Sequence, residues 1–176
     1  RIGHTMPITL FHGTSMRLAA FALLLFAAAA HAAPPEDQWF TVLLDGRKIG
    51  SFESQRVVKD GKVETTQTLD VSLDRAGITI HLVNGESATE TLDGKPLAFG
   101  SRSKMSGIES RTDGRVDGDK VEVTTSTGGA TQTRTVVWPG GALLPEATRL
   151  AGVRAGLASG TRYDVLAFQP SSLDAA

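Results

Sequence analysis

The side chains that can do chemistry are few, and their spacing argues against a reactive centre. Asp70 and Asp74, and likewise Glu64 and Asp70, share one face of any regular strand through them. Two carboxylates held about 5 to 10 Å apart can hydrolyse a glycoside. Here they alternate with Thr and Ser, the composition of a solvated sheet face. Ser101, Ser103 and Ser106 lie near Lys104, which raises a Ser/Lys hydrolase. A serine nucleophile needs an activating base and an oxyanion hole, and no Gly-x-Ser-x-Gly elbow is present to supply that setting. The run Asp113-Gly-Arg-Val-Asp-Gly-Asp119 has the look of a calcium loop. Counted from Asp113, however, the third place is Arg115 and the twelfth is Thr124, where an EF-hand needs an oxygen ligand and a bidentate Glu. Two successive Asp-Gly turns account for the run more simply.

The chain has no cysteine, which removes thiol nucleophiles, thiolate metal sites and CxxC redox chemistry together. Of its four histidines, His4, His12 and His31 fall in the N-terminal segment, leaving His81 between Ile80 and Leu82 as an outward residue of a strand. One histidine makes neither a triad nor an ordinary zinc site. The residues therefore assign no catalytic, cofactor-binding or metal-binding group, and no cofactor is expected. The net charge of −1 and a pI near 6.5 lack the basic footprint of a nucleic-acid partner or an anionic-membrane binder.

The elements that would position these residues begin after a targeting segment. Met16-Arg17 precedes an apolar run, Leu18 to Ala30, and Ala30-His31-Ala32 supplies the small-x-small pattern of a signal peptidase site. The run is roughly 13 residues, against the ~20 that span a bilayer, so the reading is a cleaved secretory signal at 16–32 rather than a membrane anchor. No Cys follows it to carry an acyl chain. Residues 1–15 are read as upstream sequence, 33–37 as a linker and 38–176 as one β-rich domain, large enough for its own core. The expected location is the periplasm or the medium.

Within that domain the period is two. Val63, Thr65, Gln67, Leu69, Val71 and Leu73 alternate with Glu64, Thr66, Thr68, Asp70, Ser72 and Asp74. Ile78, Ile80 and Leu82 alternate with Thr79 and His81, Leu97 to Met105 repeats the pattern weakly, and Val121 and Val123 alternate with Lys120, Glu122 and Thr124. The segment Thr131 to Trp138 is rich in Thr and Val, which suit a pleated surface. Turn signals stand at Asp45-Gly46, Asp60-Gly61, Asn84-Gly85, Asp93-Gly94, Asp113-Gly114, Asp117-Gly118 and Gly128-Gly129. Together these predict a mainly β fold: an antiparallel meander forming a curved sheet or partly open barrel. One short helix is expected near Pro145 to Ala155, with an apolar stripe of Ala147, Leu150, Ala151 and Val153. Strand character resumes from Thr161 to Phe168. The ending at Asp174-Ala175-Ala176 reads as an interruption, so the domain is expected to be truncated at its C-terminus.

The most distinctive stretch is Trp39-Phe-Thr-Val-Leu-Leu-Asp-Gly-Arg-Lys-Ile-Gly50: an aromatic pair opening a strand, an Asp-Gly turn, and a basic residue before an Ile-Gly pair that starts the next strand. It resembles the opening of exported bacterial transglutaminase-like proteins, and the downstream meander and the segment Tyr163 to Pro170 resemble the same N-terminal region. The resemblance implies an activity that rests on a Cys-His-Asp triad in a separate, later domain. With no cysteine in this chain, none of those residues carries over. The expectation is a non-catalytic accessory domain, with a downstream catalytic domain of the same protein as its partner. The alternative is a stand-alone periplasmic module for an apolar ligand or lipid, with a cavity lined by Phe52, Leu69, Ile80 and Phe99.

Overall fold

Period-two alternation becomes one long meander. The structure, a computed structural model, describes residues 36–175 apart from positions 76, 106 and 157, so the signal-peptide reading lies outside the described residues. Eight strands follow one another: β1 (Glu36–Leu44), β2 (Arg47–Lys59), β3 (Lys62–Arg75), β4 (Ile78–Thr91), β5 (Pro96–Met105), β6 (Ile108–Asp117), β7 (Lys120–Thr127) and β8 (Ala130–Val137). They form a single antiparallel sheet in sequence order. The sheet does not close: β1 and β8 are its two edges.

Register sets the faces as the alternation requires. Val63 lies opposite Glu90, Thr65 opposite Ala88, Leu69 opposite Asn84 and Val71 opposite Leu82, so the odd residues of β3 and the even residues of β4 share a face. Val63, Thr65 and Val71 are buried there, while Glu64, Thr66, Asp70 and Ser72 are exposed on the reverse. A slip of one residue would exchange the two sets. The turns at Asp45-Gly46 and Asp60-Gly61 hold both residues at positive φ, 50° and 75°, then 51° and 72°, the geometry that matches the twist of paired strands.

Two expected turns are instead strand interior. Asn84-Gly85 lies within β4, paired on both sides, and Asp113-Gly114 lies within β6. The strands turn at Gly77 and Gly107 instead, with φ of 79° and 86°. Gly114 has a packing reason: a Cβ at that position would overlap the ring of Phe99 on the neighbouring strand. The strand after the first hairpin also starts earlier than expected, at Arg47, with a register shift between Val42 and Leu43.

The remaining chain covers part of one face. β9 (Ala142–Leu143), α1 (Pro145–Ala155), β10 (Leu166–Gln169) and β11 (Asp174–Ala175) make a small second sheet, with β9 and β10 parallel across the helix and β11 antiparallel to β10. Parallel neighbours need such a crossover. The strand expected from Thr161 is shorter and begins at Leu166. Ala142, Leu144 and Phe168 from this unit bury Ala88, Phe99, Val121 and Val123 of the large sheet, with Trp138 packed alongside. Phe168 lies 4.8 Å from Phe99 and 4.5 Å from Trp138 between ring centroids, within aromatic pairing range. The expected apolar stripe of α1 is not what seats it. Ala147 is buried, but Val153 is exposed, and the other buried helix residue is Glu146.

Candidate functional site

The helix is held by charge. Leu144 occupies the N-cap with no side-chain cap, so the first amides of α1 need acceptors from elsewhere. Glu90 of β4 supplies them: its Oε2 accepts the N–H of Glu146 at 2.7 Å and its Oε1 accepts that of Ala147 at 2.9 Å. Glu90 is fully buried. Burial pushes its carboxyl above the usual range, the two backbone donors oppose that, and the charge of Glu146 adds to the upward shift.

Glu146 is buried beside it and is saturated by two arginines. Arg56 of β2 donates from Nε to Oε2 at 2.8 Å and from Nη2 to Oε1 at 3.1 Å. Arg149, one turn along the helix, donates from Nε to Oε2 at 2.9 Å and from Nη2 to Oε1 at 2.7 Å. Burial alone would raise this carboxyl, but the hydrogen bonds and charges of Arg149 and Arg56 outweigh it and hold Glu146 at about 2. Each oxygen of Glu146 is engaged by both guanidinium groups, so the cluster clamps the helix to the sheet. Among the described residues no buried side-chain polar atom lacks a partner.

Beside the clamp, a cleft of about 400 Å³ opens between the α1–β10 unit and β3–β4, walled by Thr65, Gln67, Glu86, Thr148, Arg149 and Phe168. On the reverse face a depression of about 530 Å³ lies over Gly85 and Gly100, ringed by Arg102, Lys104 and Arg111. Its guanidinium groups already face acids: Arg111 lies 2.6 Å from Asp113 and Arg102 lies 3.6 Å from Glu109.

Phe52, Leu69, Ile80 and Phe99 all project from the face that carries the clamp, but they do not enclose one space. Phe52 and Leu69 are directly opposite each other, and Ile80 is opposite Leu73 near the far end of the β3–β4 hairpin. Phe99 is locked in the aromatic core under β10, where Trp138 and Phe168 fill the volume a ligand would need. What the first three share is an open apolar field. One row runs Phe40, Phe52, Leu69; the next runs Val42, Gly50, Val71, Leu82, Met105, Ile108. Phe40, Ile80, Met105 and Ile108 are exposed. Gln67, Asn84, Ser103 and Ser110 lie between this field and the covered half.

The remaining candidates for chemistry lie apart. His81 Nε2 is 2.8 Å from Asp70 Oδ1 on the reverse face, with both side chains more than half exposed. Asp74 accepts a hydrogen bond from Thr79 at 2.5 Å on that same face. Ser101 and Ser103 share the inward parity of β5, whereas Lys104 has the outward one, so neither serine pairs with it, and Ser106 lies outside the described residues. Asp113 and Asp117 belong to β6 and not to a loop, and among the described residues no group of three or more His, Cys, Asp or Glu could hold a metal ion.

No motif in the sequence marks the clamp, but two local signals point to it. Glu90 has the same inward parity as Ala88, an acid where the pattern calls for a buried residue. Leu144-Pro145 opens a helix with none of the residues that cap one. Comparison with protein-family models, with curated proteins and with solved structures found no match for this chain.

Proposed function

We propose that this chain is an exported, non-catalytic β module, the N-terminal accessory region of a transglutaminase-like protein. It docks on the catalytic domain of that protein through the open half of its sheet face. The observation that carries this reading is the apolar field of Phe40, Ile80, Met105 and Ile108, exposed beside a core that the same chain covers with care. Contiguous exposed apolar surface rimmed by polar residues marks a contact with a protein, a membrane or a ligand. An open sheet suits a second folded surface better than a single acyl chain, because small-molecule sites enclose most of their ligand. Support for the family comes from the Trp39–Gly50 hairpin, and support for export from the segment Met16–Ala32.

The test is to read the gene past the codon for Ala176 and express the full product. An open frame encoding a Cys-His-Asp domain is expected. Hydrogen exchange of the full product should then show β4–β6 near Ile80, Met105 and Ile108 better protected than in residues 33–176 alone. A stop codon with no such domain overturns the accessory reading. Acyl chains co-purifying with the protein in native mass spectrometry would reassign the field to a lipid. For export, mass spectrometry should find a mature N-terminus at Ala33, and a product that retains Met16 overturns the signal reading.

A further inference from the structure

The two edges of the large sheet are built differently. β8 presents Thr131, Gln132, Thr133, Arg134 and Thr135, a hydrophilic stretch with a charge at its middle, and its one exposed large apolar residue, Val137, stands at its end. That is how soluble sheets usually blunt a free edge. β1 does the opposite. It is nine residues long, contains no Pro, Lys or Arg, and carries Trp39 and Leu43 at 66% and 59% exposure, with Phe40 and Leu44 also exposed. Among the described residues its outer edge has no strand partner. An exposed apolar edge strand is a template for pairing.

We propose that β1 is a self-association edge, along which two copies of this chain pair antiparallel and extend the sheet across a two-fold axis. This does not depend on the accessory-domain reading. Charge selects both the occupant and the direction. Asp37 and Glu36, the latter also 3.6 Å from Arg56 of its own chain, stand at one end of β1, while the other end pairs with the basic start of β2, Leu43 opposite Lys48 and Leu44 opposite Arg47. An antiparallel pair centred on Phe40 sets Asp37 opposite Leu43 of the second copy and Glu36 opposite its Leu44. The Lys48 and Arg47 of that copy are then one strand further, roughly 10 Å away between Cα atoms and within reach of their long side chains. A parallel pair would set acid against acid. The antiparallel arrangement satisfies the edge amides and carbonyls on both sides and joins the Phe40–Phe52 rows of the two copies into one apolar surface. Being isologous, it closes at two copies.

Sedimentation velocity of the purified chain over a hundredfold concentration range tests this at low and high salt. A reversible monomer–dimer equilibrium that weakens with salt is expected. The double substitution Trp39→Lys/Thr41→Lys sets like charges directly opposite in the proposed register, and should weaken association at least tenfold while circular dichroism and the melting temperature stay close to those of the parent. Asp37→Lys alone should weaken it several-fold, and Asp37→Lys with Lys48→Asp should restore it. A parent chain that stays monomeric throughout overturns the proposal. So does a dimer that persists in the double-lysine variant, which would move the contact elsewhere, or a charge swap that fails to rescue.

Discussion

Phe99 and Ile80 project from the same face of the same sheet, one on β5 and one on β4, yet Phe99 is 4% exposed and Ile80 is 36%. Around Phe99 the face is finished by the chain itself: β9, Leu144 and β10 lie over it, and Gly114 removes a side chain so that the ring fits over β6. Around Ile80 the same alternation of apolar residues continues and the cover stops. Strand pattern therefore fixes which face is apolar, while the extent of the cover is fixed by where a remote helix is pinned. That pin is Glu90, which reaches the amides of α1 across 56 residues of sequence.

The comparison breaks most visibly under truncation. Phe99→Ala should cost about 3–5 kcal/mol by urea denaturation, the usual cost of emptying a buried aromatic site. Ile80→Ala should cost under ~1 kcal/mol, since its side chain already meets solvent. Equal losses would mean that the open half is covered in solution.

Glu90→Ala comes next. It leaves two buried amides of α1 without an acceptor, and should cost about 3 kcal/mol. The loss should fall on the covered half, so hydrogen exchange of α1 and β10 should accelerate far more than that of β3. Uniform acceleration would show that the clamp does not act locally.

Acid should separate the two carboxylates by sign. Glu146 is held at about 2 against a usual value of 4.5, so its contribution is fully present above pH 4.5 and is lost as pH falls toward 2. That contribution is about 3 kcal/mol. Glu90 is shifted the other way, so its ionisation subtracts stability as pH rises through its raised value. Arg56→Met removes one of the two guanidinium groups on Glu146 and should move the acid-unfolding midpoint upward. An unchanged midpoint would assign acid sensitivity to other groups.

How much of this was legible follows from how local each signal is. The register of β3 was readable because Val63 to Leu73 alternates without a break, and such a run has one sensible face. Asn84-Gly85 misled because a dipeptide reports its own turn preference, whereas β4 is paired to β3 and β5 on both sides and that pairing wins. Gly114 looks like a turn glycine in the sequence because the ring it accommodates belongs to another strand. The pattern locates the helix at Pro145–Ala155, but an ion cluster rather than its apolar residues seats it. A clamp joining residues 56, 90, 146 and 149 has no period and no motif, and only the uncapped Leu144-Pro145 start hints that an acceptor must come from elsewhere.

The smallest effect is the most discriminating for the open half. Ile80→Asp together with Ile108→Asp places two carboxylates in the apolar field without emptying a packed site, since both residues are already exposed. Isolated residues 33–176 should lose no more than ~1 kcal/mol, because surface positions away from packed contacts tolerate polar substitution. If the field is a docking surface, the same pair of substitutions in the full-length product should remove the hydrogen-exchange protection of β4–β6 that docking confers, while α1, on the covered side, keeps its own. A large loss of stability in the isolated domain would instead mean that Ile80 and Ile108 complete a core there, and the two halves of the face would then be alike.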